Sequence, residues 1–425
     1  MSISNCIRDL LNIKDKNIVF VDNCISFKKE DDIETQFIKG TLVNNIPSHC
    51  HKCGCVNELY SLIKNGTKTV SVKLPKVSNK KTVLLLKKTR YYCKVCKATF
   101  IDQSDTVKPH HSISVNTYHA AILELRTKRS VTDISKFLDV SVTTVNNWLT
   151  RLSSTFKVNK LYLPKHLSFD EFKSVKSSDS KMSFIFTDSD TGDIINILHN
   201  RHLSYLKSYF YTYPLEVRKQ VETICIDMYE PYIQLIKSCF PNARIINDRF
   251  HIIQLLNRAL NSTRIQIMNS YPRYYSRLKR YGKLILKDPD KLNYTDYLYH
   301  TCYHHKITQA LVVDDLLRVD KIFENTYYAV QRFRLALASK DYDRFSYLLS
   351  LDYSNCSSQF ITSIKTLIKY QDSIINSMKF PYSNGRLEGT NNLIKVIKRI
   401  AFGYKSFNNF KTRILLVSNS VLSLA

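Results

Sequence analysis

The chain has 425 residues, a formal net charge of +27 and a sequence pI of about 9.5. A positive charge of this size indicates a polyanionic partner and favours nucleic acid, with lysine used only for solubility as the alternative. The length predicts two to four domains. No apolar run approaches the roughly 20 residues of a membrane span, and the first residues lack a basic leader before an apolar core. We therefore expect a cytoplasmic protein with no membrane partner.

Two closely spaced cysteine pairs precede the middle of the chain. In a reducing compartment clustered cysteines favour metal ligation over disulfides. A two-residue gap lets both thiolates of a pair face one tetrahedral ion, so two pairs predict a structural zinc site. The predicted Zn²⁺ ligands are Cys50, Cys53, Cys93 and Cys96. Substitute ligands (His49, His51 or Cys55) and chance proximity of buried cysteines are the alternatives. We assign residues 46–105 to a zinc-binding ribbon with strands near 67–74 and 82–87, preceded by an N-terminal segment, 1–45.

Residues 112–158 have the pattern of a helix-turn-helix. Helices are predicted at 115–126, 131–138 and 142–151, with Ser141 capping the last of them. The residues expected to be buried are Ile134, Phe137, Leu138, Val140, Val145, Trp148 and Leu149. The last helix would then present polar groups suited to the edges of bases and to phosphates, namely Thr143, Thr144, Asn146, Asn147 and Arg151. An ordinary helical hairpin is the alternative.

From residue 163 the pattern changes to strands. Three strands near 166–172, 182–187 and 194–199 predict an antiparallel meander. Two further strands, each ending in an acid, follow at 221–227 and 243–248, with a helix between them. This is the element order of the ribonuclease H fold, and in open α/β sheets reactive groups gather at the carboxyl ends of strands.

Acidic residues are placed where these strands end. Asp170 lies on the first strand beside Glu171, and strand alternation leaves open which of the two faces a site. Asp227 follows the fourth strand. Asp248 follows the fifth, where it could assist a site with His251 or cap the next helix.

Glu388 is the only side-chain carboxylate after Asp372. A phosphate-attracting surface has no electrostatic use for one acid unless that acid holds a metal ion, although a salt bridge on a helix is the alternative. Carboxylates at 170, 227 and 388 that converged would repel one another unless divalent cations lay between them. Oxygen ligands select Mg²⁺ or Mn²⁺. Basic residues surround Glu388 and suggest a clamp on the DNA backbone: Lys379, Arg386, Lys395, Lys398, Arg399, Lys405, Lys411 and Arg413.

The chain resembles the ISL-three family of DDE transposases, which are encoded by bacterial insertion sequences. The most specific stretches are Asp248-Arg-Phe-His251 and Asn384-Gly-Arg-Leu-Glu-Gly-Thr-Asn391. Other matching stretches are Arg90-Tyr-Tyr-Cys-Lys-Val-Cys96, Ser168-Phe-Asp-Glu-Phe172, Ile226-Asp-Met-Tyr229, Phe240-Pro-Asn-Ala243, Ile397-Lys-Arg399 and Phe402-Gly-Tyr404. The resemblance runs from the ribbon almost to the C-terminus.

The resemblance implies that Asp170, Asp227 and Glu388 are the catalytic triad, which would hold Mg²⁺ or Mn²⁺. Asp248 and His251 are treated as secondary site residues. It also implies binding to double-stranded DNA, both the terminal inverted repeats and the target. Cleavage and strand transfer by two metal ions, a homodimer or larger assembly, and a nucleoid-associated bacterial protein are further expectations.

These inferences predict a multidomain α/β protein. A zinc ribbon and helix-turn-helix precede a ribonuclease H-like core at 163–255, an α-helical insertion at 256–375 and C-terminal helices of the core at 376–425. Within the insertion, 273–283 interleaves aromatic and basic residues, which fits either a DNA-gripping surface or a solvated amphipathic helix. The alternative functions are a DNA-binding regulator with an inactive nuclease-like domain and a recombinase or nuclease that uses a tyrosine or a histidine pair.

Overall fold

The computed structural model describes residues 3–30, 33–178 and 180–418. Helices α1 to α17 are, in chain order, Ile3–Leu10, Val115–Leu125, Val131–Leu138, Val142–Ser153, Leu203–Phe210, Leu215–Lys219, Glu230–Cys239, Arg249–Ser270, Tyr275–Arg280, Gly282–Ile285, Gln309–Leu317, Lys321–Ala338, Tyr342–Ser350, Ser358–Lys369, Gln371–Lys379, Gly385–Ile400 and Phe407–Val417. Strands β1 to β13 are Ile18–Val19, Ile25–Glu30, Ile33–Leu42, Leu62–Val77, Lys80–Cys93, Thr99–Ile101, His166–Lys173, Met182–Asp188, Ile194–Leu198, Thr223–Ile226, Arg244–Asn247, Leu298–His300 and His305–Ile307. Among the described helices, none combines the length and apolar character needed to cross a membrane.

The chain divides into two compact units. The first comprises the described residues up to Lys157 together with 394–418, and the second runs from Val158 to Leu393. The fold is therefore mixed α/β with more than one unit, as the sequence predicts.

A six-stranded sheet dominates the first unit. Its order is β1-β3-β5-β4, with β2 paired to β3 and β6 paired to β5. The long strands β4 and β5 form an antiparallel hairpin, while β3 runs parallel to β5. The predicted division between residues 45 and 46 therefore runs through one sheet, because strands from both sides of it share hydrogen bonds. Local pattern could not show this, since β3 pairs with a strand some forty residues further along the chain.

Helices α2, α3 and α4 lie where the sequence predicts them. Ser130 and Ser141 accept hydrogen bonds from the backbone N–H groups three residues later, so both α3 and α4 begin with side-chain caps. Asp139 ends α3 in the left-handed conformation, with φ of 54°, which turns the chain sharply into α4. Phe137 differs from the prediction because it is exposed and lies over the Arg129 guanidinium instead of in the core.

The last helix, α17, belongs to the first unit. Leu416 packs in the same apolar cluster as residues of α2, α3 and α4. Arg413, of which 1% is exposed, donates hydrogen bonds to the carbonyls of Leu125, Thr127 and Arg129. This placement differs from the assignment of 376–425 to the catalytic core. It also shows that the interpretation of Arg413 as part of a DNA clamp is wrong. Its guanidinium is buried and donates hydrogen bonds to carbonyls at and just after the C-terminal end of α2.

We expect Arg413→Met to lower the free energy of unfolding by about 3 kcal/mol, since it leaves three carbonyls without their donor. Arg413→Lys should recover little of this loss, because a single ammonium cannot reproduce the planar fork of the guanidinium. Urea denaturation followed by circular dichroism measures the change. Lys405→Met, at an exposed position, is the matched control and should shift stability by less than about 0.5 kcal/mol. An equal loss in both variants would contradict the proposed role of Arg413.

The second unit is built on a five-stranded sheet of order β11-β10-β7-β8-β9. Strands β7, β8 and β9 form the predicted antiparallel meander, and β10 and β11 run parallel to β7. Aromatic rings fill the core against one face, where Phe169 stacks on Phe210 with centroids 5.5 Å apart. The parallel register brings the carboxyl ends of β10 and β11 level with the middle of β7.

A largely helical segment follows β11. Helices α8 to α15 surround a continuous apolar cluster that includes Phe323, Phe333 and Phe360. The segment is not entirely α-helical, however, because β12 and β13 form a short antiparallel hairpin. Within 273–283, Leu278 is buried and Arg277 pairs with Asp315 at 3.4 Å. At least part of this basic stretch is therefore used inside the fold.

Candidate metal centre and nucleic-acid interface

Three acidic residues lie level with one another across neighbouring strands of the second unit. Strand β10 pairs in parallel with β7 on one side and with β11 on the other. Continued one or two residues past the last paired positions, this register brings Asp170, Asp227 and Asp248 to the same level. Level residues of parallel strands point to the same face, and adjacent strands lie about 4.8 Å apart. The three carboxylates therefore converge at one edge of the sheet.

Within the part of the second unit that the structure describes, Asp227, Asp248 and His251 form a close cluster. Their potential ligand atoms all lie within 4.8 Å of one another, and His251 Nε2 is 3.1 Å from Asp227 Oδ1. Asp248 also accepts a hydrogen bond of 3.3 Å from the backbone N–H of Phe250 and so caps α8. Capping and assistance to the site, which the sequence presents as alternatives for Asp248, are therefore compatible.

Asp170 and Glu171 have different surroundings. Glu171 forms an ion pair with Arg201 and accepts a hydrogen bond of 3.1 Å from the Tyr232 hydroxyl. Asp170 Oδ2 accepts a hydrogen bond of 2.7 Å from Asn391 Nδ2. Because adjacent residues of a strand point to opposite faces, Asp170 faces the carboxylate cluster and Glu171 faces away from it.

Two asparagines hold the aspartates in place. Asn391 contacts Asp170 as described, and Asn384 Nδ2 lies 3.4 Å from Asp227 Oδ1 and 3.3 Å from the Phe169 carbonyl. Both residues lie within the Asn384–Asn391 motif, but neither is among the site residues predicted from the sequence. Their separation of seven residues, two turns of a helix, is the signal that could have found them.

Glu388 lies in the first turn of α16, where its N–H donates to the Asn384 carbonyl at 2.8 Å. Its side chain is exposed. Burial raises the pKa of Asp248, and the Glu388 charge raises it further, so the two carboxylates interact. Glu388 therefore lies near Asp248, although its oxygens are not among the atoms within 4.8 Å of one another.

The site concentrates negative charge in a poorly solvated place. Burial raises the pKa of Asp170 to about 7, and the charges of Asp227 and Glu171 act in the same direction. Burial also raises the pKa of Asp227, against the opposing effect of His251. Carboxyl groups with such raised pKa values gain most from a nearby cation.

The ligands present fit a divalent cation that prefers oxygen. Asp170 and Asp227 offer carboxylate oxygens. The Oδ1 atoms of Asn384 and Asn391 are buried and have no hydrogen-bond partner within the described residues. A hydrated cation would bring water molecules able to donate to such atoms.

The four predicted cysteines of the first unit come together. The sulfur atoms of Cys50, Cys53, Cys93 and Cys96 lie within 4.8 Å of one another. Cys50 Sγ is 3.8 Å from Cys96 Sγ, and Cys53 Sγ is 3.9 Å from Cys93 Sγ. A tetrahedral zinc ion with Zn–S bonds of about 2.3 Å separates its sulfurs by about 3.8 Å. The cluster therefore has the dimensions of a four-thiolate zinc site. Cys55 is not one of these four ligands, although its Sγ lies 3.4 Å from Cys93 Sγ.

We expect the purified chain to hold one zinc ion per molecule and Cys93→Ser to lose it, because three thiolates no longer complete the tetrahedron. Stability should fall with the metal, since a structural zinc ion contributes folding free energy directly. Elemental analysis with thermal unfolding measures both changes. Cys55→Ser is the matched control and should retain zinc. Loss of zinc from that variant would mean that Cys55 is a ligand.

The predicted base-contacting residues occupy α4. Thr143, Asn147 and Arg151 are exposed, while Thr144 and Asn146 are half-buried. The N–H of Thr144 donates to Ser141 Oγ at 3.1 Å, so this residue also serves the helix cap. The side chains of the other four residues, Thr143, Asn146, Asn147 and Arg151, take no part in capping α4.

The basic residues of α16 have different surroundings. Arg386 donates a hydrogen bond to the Asp190 carbonyl, which ties its guanidinium to the turn between β8 and β9. Lys395 and Arg399 are exposed, and Lys398 is half-buried. Arg386 is thus tied to another part of the fold, while Lys395 and Arg399 are exposed.

The chain is similar to known proteins. A family model described as a transposase matches residues 167–414. The transposase for insertion sequence element IS1001 of Bordetella parapertussis is 21% identical over 350 residues, which cover 79% of this chain and 80% of the relative. A protein of Lactococcus lactis subsp. lactis named ATP-dependent protease is 36% identical over 116 residues, 27% of this chain and 37% of that protein. The chain thus spans little more than a third of the second relative.

The matched residues make up more than half of the chain and include Asp170, Asp227, Asp248 and Glu388. The class of protein defined in this way is the DDE transposases, which are metal-dependent. Within that class the chain belongs to the ISL-three family, as the sequence motifs predict.

Proposed function

We propose that the chain transposes a bacterial insertion sequence, binding its terminal inverted repeats and performing metal-dependent strand cleavage and strand transfer. The observation that carries the proposal is the convergence of Asp170, Asp227 and Asp248 at one sheet edge, with Glu388 close enough to act on Asp248. The motif in which Glu388 lies gives it the third place in the catalytic triad, beside Asp170 and Asp227.

A ribonuclease H-like fold is the architecture that best fits the second unit. A meander of three antiparallel strands is followed by two strands parallel to the first, with α7 between them. Such a fold places catalytic carboxylates on the first strand and after the fourth, which are the positions of Asp170 and Asp227. Helices α8 to α15 and the β12–β13 hairpin would be an insertion ahead of α16.

Asp170, Asp227 and Glu388 would hold two Mg²⁺ or Mn²⁺ ions. These ions would supply activation of the attacking water or 3′-hydroxyl and stabilisation of the leaving oxygen. The protein's own groups would fix the ligands: Asn391 orients Asp170, while His251 and Asn384 orient Asp227. Direct attack of this kind forms no covalent bond between protein and DNA.

The first unit would recognise the ends of the element. Its helix-turn-helix would place α4 in the major groove, and its zinc ribbon would support that domain. Double-stranded repeats and target DNA are the expected partners, in keeping with the net charge of +27. Because two element ends must be paired, a homodimer or larger assembly in the bacterial nucleoid is the expected working form.

The test uses the full chain, Mg²⁺ and duplexes cut from both ends of the DNA that flanks the coding sequence. We expect cleavage at the element boundary that requires the divalent ion and leaves no protein attached to DNA. A chain that binds these ends but never cuts them would support a regulator with an inactive domain. A protein-linked DNA product would overturn the two-metal mechanism.

A further inference from the structure

A groove of about 400 Å³ in the first unit is lined on one side by α4. Its floor contains Tyr118 and Trp148, whose rings meet edge to face with centroids 5.5 Å apart. Its rim carries Lys108, His110 and Arg151. None of the described residues that line it is acidic. We term this feature the recognition groove.

The wall opposite α4 is held firmly. It is formed by the segment 108–114, which is bound to β4 because the Lys73 N–H donates to the Ser112 carbonyl at 2.8 Å and the Ser114 N–H donates to the Lys73 carbonyl at 2.9 Å. His111 Nδ1 donates to the Pro109 carbonyl at 2.8 Å. A wall fixed before binding loses little conformational entropy when a ligand arrives.

Charge distinguishes this groove from a larger one in the same unit. The larger groove, of about 740 Å³, is lined by Glu34 and Asp139 and by five lysines, namely Lys73, Lys76, Lys80, Lys81 and Lys136. Those two carboxylates pair with Lys73, Lys80 and Lys81 at 2.6–3.1 Å. Three of the five lysines there thus pair with acids of the protein, and no aromatic residue lies among the described lining residues. The recognition groove combines cations with two aromatic rings and no acid.

We propose that the recognition groove holds the sugar–phosphate backbone of one DNA strand beside the recognition helix α4. Deoxyribose would pack on Tyr118 and Trp148, and phosphate oxygens would accept hydrogen bonds from Lys108, His110 and Arg151. The inference rests on the proposed function, since it presumes that α4 meets DNA. It extends the interface to the segment 108–111, which none of the sequence motifs marks.

The test measures binding of the full chain to a duplex carrying the element's end and to a scrambled duplex of equal composition. Lys108→Gln should weaken binding to both duplexes by a similar factor, about 5- to 10-fold, and reduce the slope of log K against log salt by about 1. Asn147→Ala should instead reduce the preference for the element's end. Lys68→Gln, an exposed lysine of β4 that does not line the groove, is the matched control and should leave the slope unchanged.

The fluorescence of Trp148 gives a second measurement of binding, because Trp148 is the only tryptophan of the chain. Binding of either duplex should change the fluorescence emission of Trp148 and reduce the quenching of that emission by acrylamide. If wild-type protein binds DNA while Trp148 emission and the salt slope of Lys108→Gln stay unchanged, the groove inference is overturned and the proposed function stands. If the wild-type chain does not prefer the element's end to the scrambled duplex, the proposed function itself fails.

Discussion

Glu388→Gln is expected to reduce strand cleavage roughly 10³-fold, equivalent to about 4 kcal/mol of transition-state stabilisation, while DNA affinity stays nearly unchanged. The substitution keeps the size of the side chain and removes only the charge that would hold the cation. Asp227→Asn should have an effect of the same order. Cleavage of labelled duplexes in Mg²⁺, beside binding in Ca²⁺, separates the two quantities. Cleavage that survives Glu388→Gln would show that the triad assignment is wrong.

The neighbouring residues supply graded controls. Asp248→Asn and His251→Gln should lower the rate by about 10- to 100-fold, as is usual for groups that orient metal ligands. Glu171→Gln should leave the chemistry intact and lower stability instead, because it breaks the ion pair with Arg201. A loss of cleavage without loss of stability in Glu171→Gln would exchange the roles of the two adjacent acids.

The local sequence pattern was sufficient to predict helices whose starts are marked by a capping residue or by apolar spacing. The cap at Ser141 and the apolar spacing predict the start of α4 to the residue, and the apolar spacing also predicts α3. Contacts between elements that are distant in the sequence have no such local signal. That β3 joins β5, and that α17 packs with α4, depend on contacts between distant parts of the chain. The prediction for Arg413 was wrong for the same reason, because the sequence does not show whether an arginine side chain is buried or exposed.

The candidate site was predictable where motif and topology agree. Strand ends and family motifs together select Asp170, Asp227 and Glu388, and the parallel register then explains why the first two converge. The amide groups that orient these acids were not predicted. Asn384 and Asn391 act through hydrogen-bond direction, which depends on where α16 lies against β7 and β10. A sequence without coordinates does not contain that position.

Asp170→Asn is expected to abolish cleavage and yet stabilise the metal-free protein at pH 8. The pKa of Asp170 rises from 3.8 in the unfolded chain to about 7 in the fold. The folded state therefore binds this proton more tightly, so stability falls as pH rises from about 4 to about 7 and stays low above that. The amide removes this penalty, which is at most a few kcal/mol. Its hydrogen bonds can be kept, because Asn391 can turn its unpartnered Oδ1 toward the new donor.

Thermal unfolding at pH 8 and at pH 4, without divalent ions, measures the change. The melting temperature of Asp170→Asn should exceed that of wild type at pH 8 and match it at pH 4. Mg²⁺ should stabilise the wild type at pH 8 more than the variant, because a bound cation relieves the same repulsion. Asp290→Asn, which removes an exposed carboxylate of the same unit, should change neither value. Stabilisation by Asp170→Asn that persists at pH 4 would show that packing, and not charge, is responsible. In that case, the bound cation would not stabilise the protein by offsetting the free-energy cost of ionising Asp170 where it is buried.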